Sequence, residues 1–404
     1  MISRRHKIIA VIGAVFLFFS VWTVVKGKSL VFSSSLETLR SLPYLTWSKL
    51  QDSSDAEKKG VTRYDPALAY NGLSIFNSEN SSLAYVINME GKILHTFSNQ
   101  GSDLSLWQAI VPYGQGGFLR VECDRALYLI DWKSIVKWKK DLPVHHDVIA
   151  AQNGDIYTLE NRTIYSPRYS FQKRITDNLL VVLSKDGKKK KEISFAKMVS
   201  RNKGLFRQVL QNKIISGEEP IDIFHVNKLV LLPREVNTRE GCLLKKGDCL
   251  FTMAAAGVVG VADLEKEAIL WYWGNTELDY PHSPDLLENG NFLIFDNGSQ
   301  RKYSRVIELN PLNGKIEWEY KANHPERFFT QTRGHAQRLP NGNTLITESE
   351  KGRVFEVTPD KEIVWEFFSP EIKDDSRATI YRMVRIVNPQ DYRWTKECLL
   401  LSNN

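Results

Sequence analysis

From about residue 61 onward the chain alternates apolar and polar positions with a period of two, in short runs separated by turns. Val306-Ile307-Glu308-Leu309 is followed by Gly314-Lys315-Ile316-Glu317-Trp318, and Val354-Phe355-Glu356-Val357 by Lys361-Glu362-Ile363-Val364-Trp365. Such alternation, broken at Asp-Gly and Asn-Gly steps, predicts half-buried strands joined by tight hairpins. The unit of strand, turn and strand ending in an aromatic also occurs at Leu127-Asp131 with Ile135-Trp138, and at Val259-Asp263 with Ala268-Trp271. Weaker copies run from Tyr85 to His95 and from Leu180 to Phe195, which makes six. No helical run of about 10 to 15 residues alternates with these strands, and this argues against an α/β fold.

The spacing of Trp271, Trp318 and Trp365 matches one four-stranded blade of about 40 to 50 residues. The pattern therefore predicts an all-β fold, a six-bladed β-propeller over residues 61–404 with an insertion around 196–248. Within that insertion Ala196 to Asn212 has mixed helical character. The tryptophans are expected to pack between blades, and His95, in a Trp-equivalent place, to be structural.

The pattern changes at the N-terminus. Ile8 to Val25 is an uncharged run of 18 apolar residues, flanked by Arg4, Arg5 and Lys7 and then by Lys26 and Lys28. It is long enough to cross a bilayer core, and the leading cations favour a cytoplasmic N-terminus. No small-x-small cleavage site follows. Residues 1–30 are thus expected to form a transmembrane signal anchor and 31–60 a juxtamembrane linker, with the propeller outside the cytoplasm. In such a compartment Cys242 and Cys249, close in one Gly/Lys-rich loop, are positioned for a hairpin disulfide, with a reduced pair as the alternative.

Charge changes the picture little. Lys and Arg number 54 against 47 Asp and Glu, a balance of +7 that is scattered along the chain. Its densest run, Lys188 to Lys191, lies in a hairpin, and no basic stripe interleaved with aromatics points to nucleic acid.

A second repeated unit carries the chemistry. His145-His146-Asp147-Val148, His225-Val226-Asn227, His282-Ser283-Pro284-Asp285 and His335-Ala336-Gln337-Arg338 each open a strand that ends at a tight turn. In a propeller the innermost strand of each blade borders the central channel, so residues opening several of them should converge. One such histidine is ordinarily a hydrogen-bonded turn residue; four in one phase form a candidate site.

At these residues the sequence resembles the bacterial arylsulfotransferases, over roughly residues 120 to 370. The resemblance rests on His-His-Asp-Val (145–148), Phe-His-Val-Asn (224–227), the stretch from His282 to Gly298 ending in Phe-Asp-Asn-Gly, and the block from Arg338 to Phe367. It implies an envelope enzyme that moves a sulfuryl group from an aryl sulfate to a phenolic acceptor, without nucleotide donor or cofactor. By position it implies His282 as the nucleophile that forms a sulfohistidine. His225, Asn227 and His145 or His146 are its partners, and His335 is a further addition to the site. The absence of a Gly-x-x-x-x-Gly-Lys-Ser/Thr loop agrees with this. The sequence departs from the family at Ala254, where an arginine is expected; Arg301, Arg305 or Arg333 are the replacements from other blades. The alternatives are a non-catalytic propeller binding a ligand or protein, and a metal site built from the imidazoles.

Overall fold

The six repeats become the third and fourth strands of six antiparallel sheets in the computed structural model. It describes residues 47–50, 56–78, 83–98, 107–170, 172–211, 220–239, 241–274 and 276–402. In chain order, sheet 2 runs Trp107–Tyr113, Gly117–Glu122, Ala126–Asp131, Val136–Asp141. Sheet 3 runs Val144–Ala150, Ile156–Ile164, Ile175–Leu183, Lys189–Ser194. Sheet 4 is Val226–Leu231, Cys249–Met253, Val258–Asp263, Ala268–Gly274, and sheet 5 is Pro281–Leu286, Phe292–Asp296, Arg305–Asn310, Lys315–Tyr320. Sheet 6 is His335–Arg338, Thr344–Glu348, Arg353–Val357, Ile363–Phe368, and Gly60–Tyr64 adds a fifth strand to its outer edge. Sheet 1 takes its inner strand, Arg382–Arg385, from the far end of the chain and the rest, Ser74–Ser78, Leu83–Ile87 and Ile93–Ser98, from the beginning.

Each sheet buries both faces, and six apolar clusters fill the spaces between successive sheets. The sixth joins Leu345, Val354 and Trp365 of sheet 6 to Phe76, Ile87 and Met383 of sheet 1, so the packing runs round to its start. This is an all-β, propeller-like architecture. Its tryptophans hold neighbouring sheets together. Trp138, Trp318 and Trp365 each end a repeat, and their indole N–H groups donate to Lys185 O, Pro359 O and Met89 O in the next sheet's outer hairpin. His95 fills the same place in sheet 1, stacking on Trp132 of sheet 2 with centroids 3.5 Å apart.

The insertion is helical over α1 (Phe195–Arg201) and α2 (Lys203–Gln211). Met198, Val199, Leu205 and Val209 wedge into the core between sheets 3 and 4. Ser194 caps α1 through the Lys197 N–H, and Asp177 receives both Ser194 Oγ and the Ala196 N–H, at 2.6 and 2.9 Å.

The apolar segment 8–25 and most of the linker lie outside the described residues; within the linker, Trp47–Lys49 pairs with Ser376–Ala378. Among the described residues no helix is long and apolar enough to cross a membrane. The basic run is paired largely within its own sheet: Lys188, Lys189 and Lys190 meet Asp186, Glu160 and Asp155. Cys242 and Cys249 do not form the expected bridge, for a geometric reason. Cys249 is a thiol buried between sheets 3 and 4, while Cys242 packs against the core between sheets 4 and 5. Burial pushes the Cys249 thiol up to about 12.

Candidate active site at one end of the inner strands

Every histidine of the second repeat sits at the start of an innermost strand: His145 and His146 in sheet 3, His225 just before that of sheet 4, His282 in sheet 5, His335 in sheet 6. The chain turns sharply there. His146, His225, Tyr280, Ser283 and Arg333 all have positive φ, between 50° and 62°. Such backbone is costly for residues with a side chain and concentrates at functional sites.

Four of the histidines form a chain of ring contacts. His145 lies 4.7 Å from His146 centroid to centroid, His146 5.0 Å from His225, and His225 6.4 Å from His282. Tyr280 fills the angle between the last two, at 5.5 and 5.7 Å.

The structure fixes the tautomer of His282. Asn297 donates through Nδ2 to the carbonyls of Thr330 and Arg333, both at 2.9 Å, so its Oδ1 is the end that faces His282 Nδ1 at 2.8 Å. An amide oxygen can only accept, and the second neighbour of Nδ1, Tyr280 O at 3.2 Å, is also an acceptor. Nδ1 therefore carries the proton, and Nε2 keeps its lone pair. Burial, and then the charge of His225, push this imidazole down to about 3, so it is neutral at physiological pH.

His225 has the opposite character. Its Nδ1 lies 2.7 Å from Asp222 Oδ2, and its backbone N–H donates to Asp222 Oδ1 at 2.8 Å. Burial alone would lower its pKa, but the Asp222 carboxylate outweighs it and holds His225 above its ordinary value. The pair keeps 26% and 32% of its side-chain surface open.

His146, the member of the adjacent pair at the centre, meets the Tyr381 hydroxyl at Nδ1, 3.0 Å away, and donates its N–H to Gln108 Oε1. Burial, and then the charges of His145, His225, His282 and Arg333, hold it well below the ordinary range. His145 stands behind, buried and pushed down to about 3, with neither ring nitrogen hydrogen-bonded among the described residues.

Two predicted site residues are placed differently. Asn227 has both ends of its amide engaged, Nδ2 donating to Pro281 O at 3.1 Å and Oδ1 accepting from Thr252 Oγ1 at 2.7 Å. It ties sheet 4 to the strand that carries His282. His335 makes no ring contact with the other histidines and instead lines the central cavity. The reason is the turn before it. Positive φ at Arg333 and Gly334 presents Arg333 to the cluster two residues earlier, and a Cβ on Gly334 would stand 2.4 Å from the Phe295 ring.

Ala254 is buried beside the site, its N–H donating to His225 O at 3.1 Å. Of the three arginines offered in its stead, Arg301 and Arg305 are both bound to the buried Asp296, at 2.9 and 2.8 Å. Arg333 acts electrostatically on His146 and His282. Sequence reasoning missed Asp222, Asn297, Tyr280 and Tyr381. Asp222 stood three residues before His225, and Asn297 lay inside the Phe-Asp-Asn-Gly stretch. Among the described residues no group of three His, Cys, Asp or Glu side chains has metal-binding geometry.

One end of this propeller-like scaffold thus holds a neutral, tautomer-fixed imidazole beside a carboxylate-paired histidine. The family described as arylsulfotransferase (ASST) matches residues 127–369, and the chain belongs to that family. No curated protein sequence matches it. Solved structures similar to it include a protein of unknown function from Bacteroides caccae, 13% identical, TM-score 0.48, covering 74% of this chain and 94% of that one. A streptogramin B lyase is 12% identical, TM-score 0.45, with 82% and 90% covered. The virginiamycin B lyase of Staphylococcus aureus is 13% identical, TM-score 0.42, with 81% and 88% covered.

Proposed function

We propose that the protein transfers a sulfuryl group from an aryl sulfate to a phenolic acceptor through a covalent intermediate on His282. The observation that carries this reading is the fixed tautomer: Asn297 holds the Nδ1 proton, which leaves a neutral Nε2 lone pair for attack on sulfur.

In the first half-reaction Nε2 forms the N–S bond while the S–O bond to the aryl group breaks. The electron pair leaves on the phenolate oxygen, which takes a proton from His225, poised as an acid by Asp222. Arg333 and His146 face the sulfuryl oxygens, where charge must be balanced. In the second half-reaction the acceptor phenol gives its proton back to His225 and attacks sulfur, and the N–S pair returns to His282. Arg333 takes over the place that Ala254 leaves without charge.

We also read the six sheets as the blades of one closed propeller, with residues 8–25 holding it to a membrane outside the cytoplasm. Protease added to intact cells should then remove the domain.

The test is incubation with p-nitrophenyl sulfate. The wild-type chain should release p-nitrophenol in a burst and gain the mass of one SO3 on the peptide containing His282, and His282→Ala should do neither. Phenol release without that mass gain would overturn the covalent route, and no release at all would favour a binding protein.

A further inference from the structure

Beyond the histidines the channel widens into a cavity of 1220 Å³ that is lined by the later parts of the inner strands and the turns after them, not by His146, His225 or His282. Its volume is more than enough for a small organic ligand. Its outer walls mix aromatic side chains, Tyr113, Tyr157 and Tyr392, with the charged Lys185, Lys246 and Asp391. Its inner end is charged. Lys228, Asp285, Asp147, Arg382 and His335 all border it.

The charges there are not equally satisfied. Arg382 Nη1 donates to Asp147 Oδ1 at 2.7 Å, and the other Asp147 oxygen accepts the Leu229 N–H at 3.3 Å, so this pair is complete. Lys228 and Asp285 feel one another electrostatically, yet among the described residues Lys228 forms no ion pair or side-chain hydrogen bond. Asp285 has one oxygen on the Leu286 N–H and the other unengaged. His335 is only 7% exposed, and its Nδ1 has no partner among the described residues. Lys228 and Asp285 lie deep in the molecule but are only half-buried, so their open surface faces the cavity. Burial lowers Lys228 and raises Asp285, each partly offset by its charged neighbours; both charges are uncomfortable as they stand.

At the inner end the formal charges of Lys228, Arg382, Asp147 and Asp285 sum to zero, with His335 neutral; the other charged lining residues, Lys185, Lys246 and Asp391, belong to the outer walls. A simple anion or cation would upset that balance, and a zwitterion would not. We propose that this cavity is a second ligand site, separate from the histidine cluster, for a zwitterionic small molecule of the α-amino-acid type with an apolar or aromatic body. Its carboxylate meets Lys228, its ammonium meets Asp285, and its body lies among the tyrosines toward the turns. The site does not depend on sulfuryl transfer.

Titration calorimetry of the full chain with L-phenylalanine tests this, beside 3-phenylpropionate, which lacks the ammonium, and phenethylamine, which lacks the carboxylate. L-Phenylalanine should bind one to one, and each analogue at least about tenfold more weakly, the worth of one lost charged contact. Lys228→Met should erase the advantage over phenethylamine, and Asp285→Asn the advantage over 3-phenylpropionate. His282→Ala should bind as the wild type does. Absence of binding at millimolar L-phenylalanine, equal binding of all three compounds, or indifference to both cavity substitutions would each overturn the proposal. The ligand series on the wild-type chain decides even where a variant fails to fold.

Discussion

Replacing Asn297 by alanine separates the roles of one buried amide. Asn297 is fully buried and makes three hydrogen bonds, to His282 Nδ1, Thr330 O and Arg333 O. Each is worth about 1 kcal/mol net. The loss is softened because Thr330 O also accepts from Ser304 Oγ at 3.3 Å, and Tyr280 O remains near Nδ1. The expected destabilisation is about 2 to 4 kcal/mol, read from urea unfolding. The catalytic effect has a different origin. When Nε2 bonds to sulfur the imidazole becomes cationic, and its Nδ1–H···Oδ1 bond becomes charge-assisted only then. A hydrogen bond to a charged group is worth about 1.5 to 3 kcal/mol, so kcat should fall about 10- to 150-fold. KM should change little, because the interaction strengthens after substrate has bound. The assay is p-nitrophenol release at saturating donor, at a temperature where the variant is folded. A folded Asn297→Ala protein with kcat within about threefold of wild type would refute the assignment of Nδ1 as the held proton.

Asp222→Asn should shift the alkaline limit of the first half-reaction to lower pH, because the carboxylate is what holds His225 above its ordinary value; a pH–rate profile checks this. The sign for stability follows from the same shift. The folded pKa exceeds the unfolded value of about 6.5, so the contribution is complete below that pH and is lost as pH rises through the folded pKa. The variant should lack this decline in melting scans. Arg333→Met should lower kcat about 10²- to 10³-fold, as loss of an oxyanion donor does, measured in the same release assay. Arg382→Met should cost about 3 to 5 kcal/mol in urea unfolding, since it strands Asp147, 2% exposed, without its partner.

The sheets were legible because their strands are local. Alternation and a terminal aromatic mark a hairpin within a few residues, and in three of the sheets that aromatic is a tryptophan bound to the same turn carbonyl of its neighbour. What could not be read was how the ends of the chain meet. Pairing of Ser74–Ser78 with Arg382–Arg385, and of Gly60–Tyr64 with Ile363–Phe368, joins residues with no shared pattern. The site divides in the same way. His145, His146, His225 and His282 share a phase, and phase is visible in sequence. His335 has that phase too, but local backbone turns it elsewhere, and positive φ at Arg333 leaves no mark in composition. Asp222, Asn297 and Tyr381 come from connecting segments, where one polar residue looks like the next.

The inner strand of sheet 1, Arg382–Arg385, also completes the surroundings of the histidines. Tyr381, just before it, and Arg382, its first residue, reach His146 and Asp147 across 235 positions of sequence. A chain emerging during synthesis can fold its early hairpins, yet it has neither contact until its final stretch arrives and docks. Fragments cut short by stalled synthesis or by a protease would hold most of the histidines and still lack these two contacts. Under the proposed function, activity is tied to the docking of Arg382–Arg385, and a chain cut before that strand should not turn over substrate.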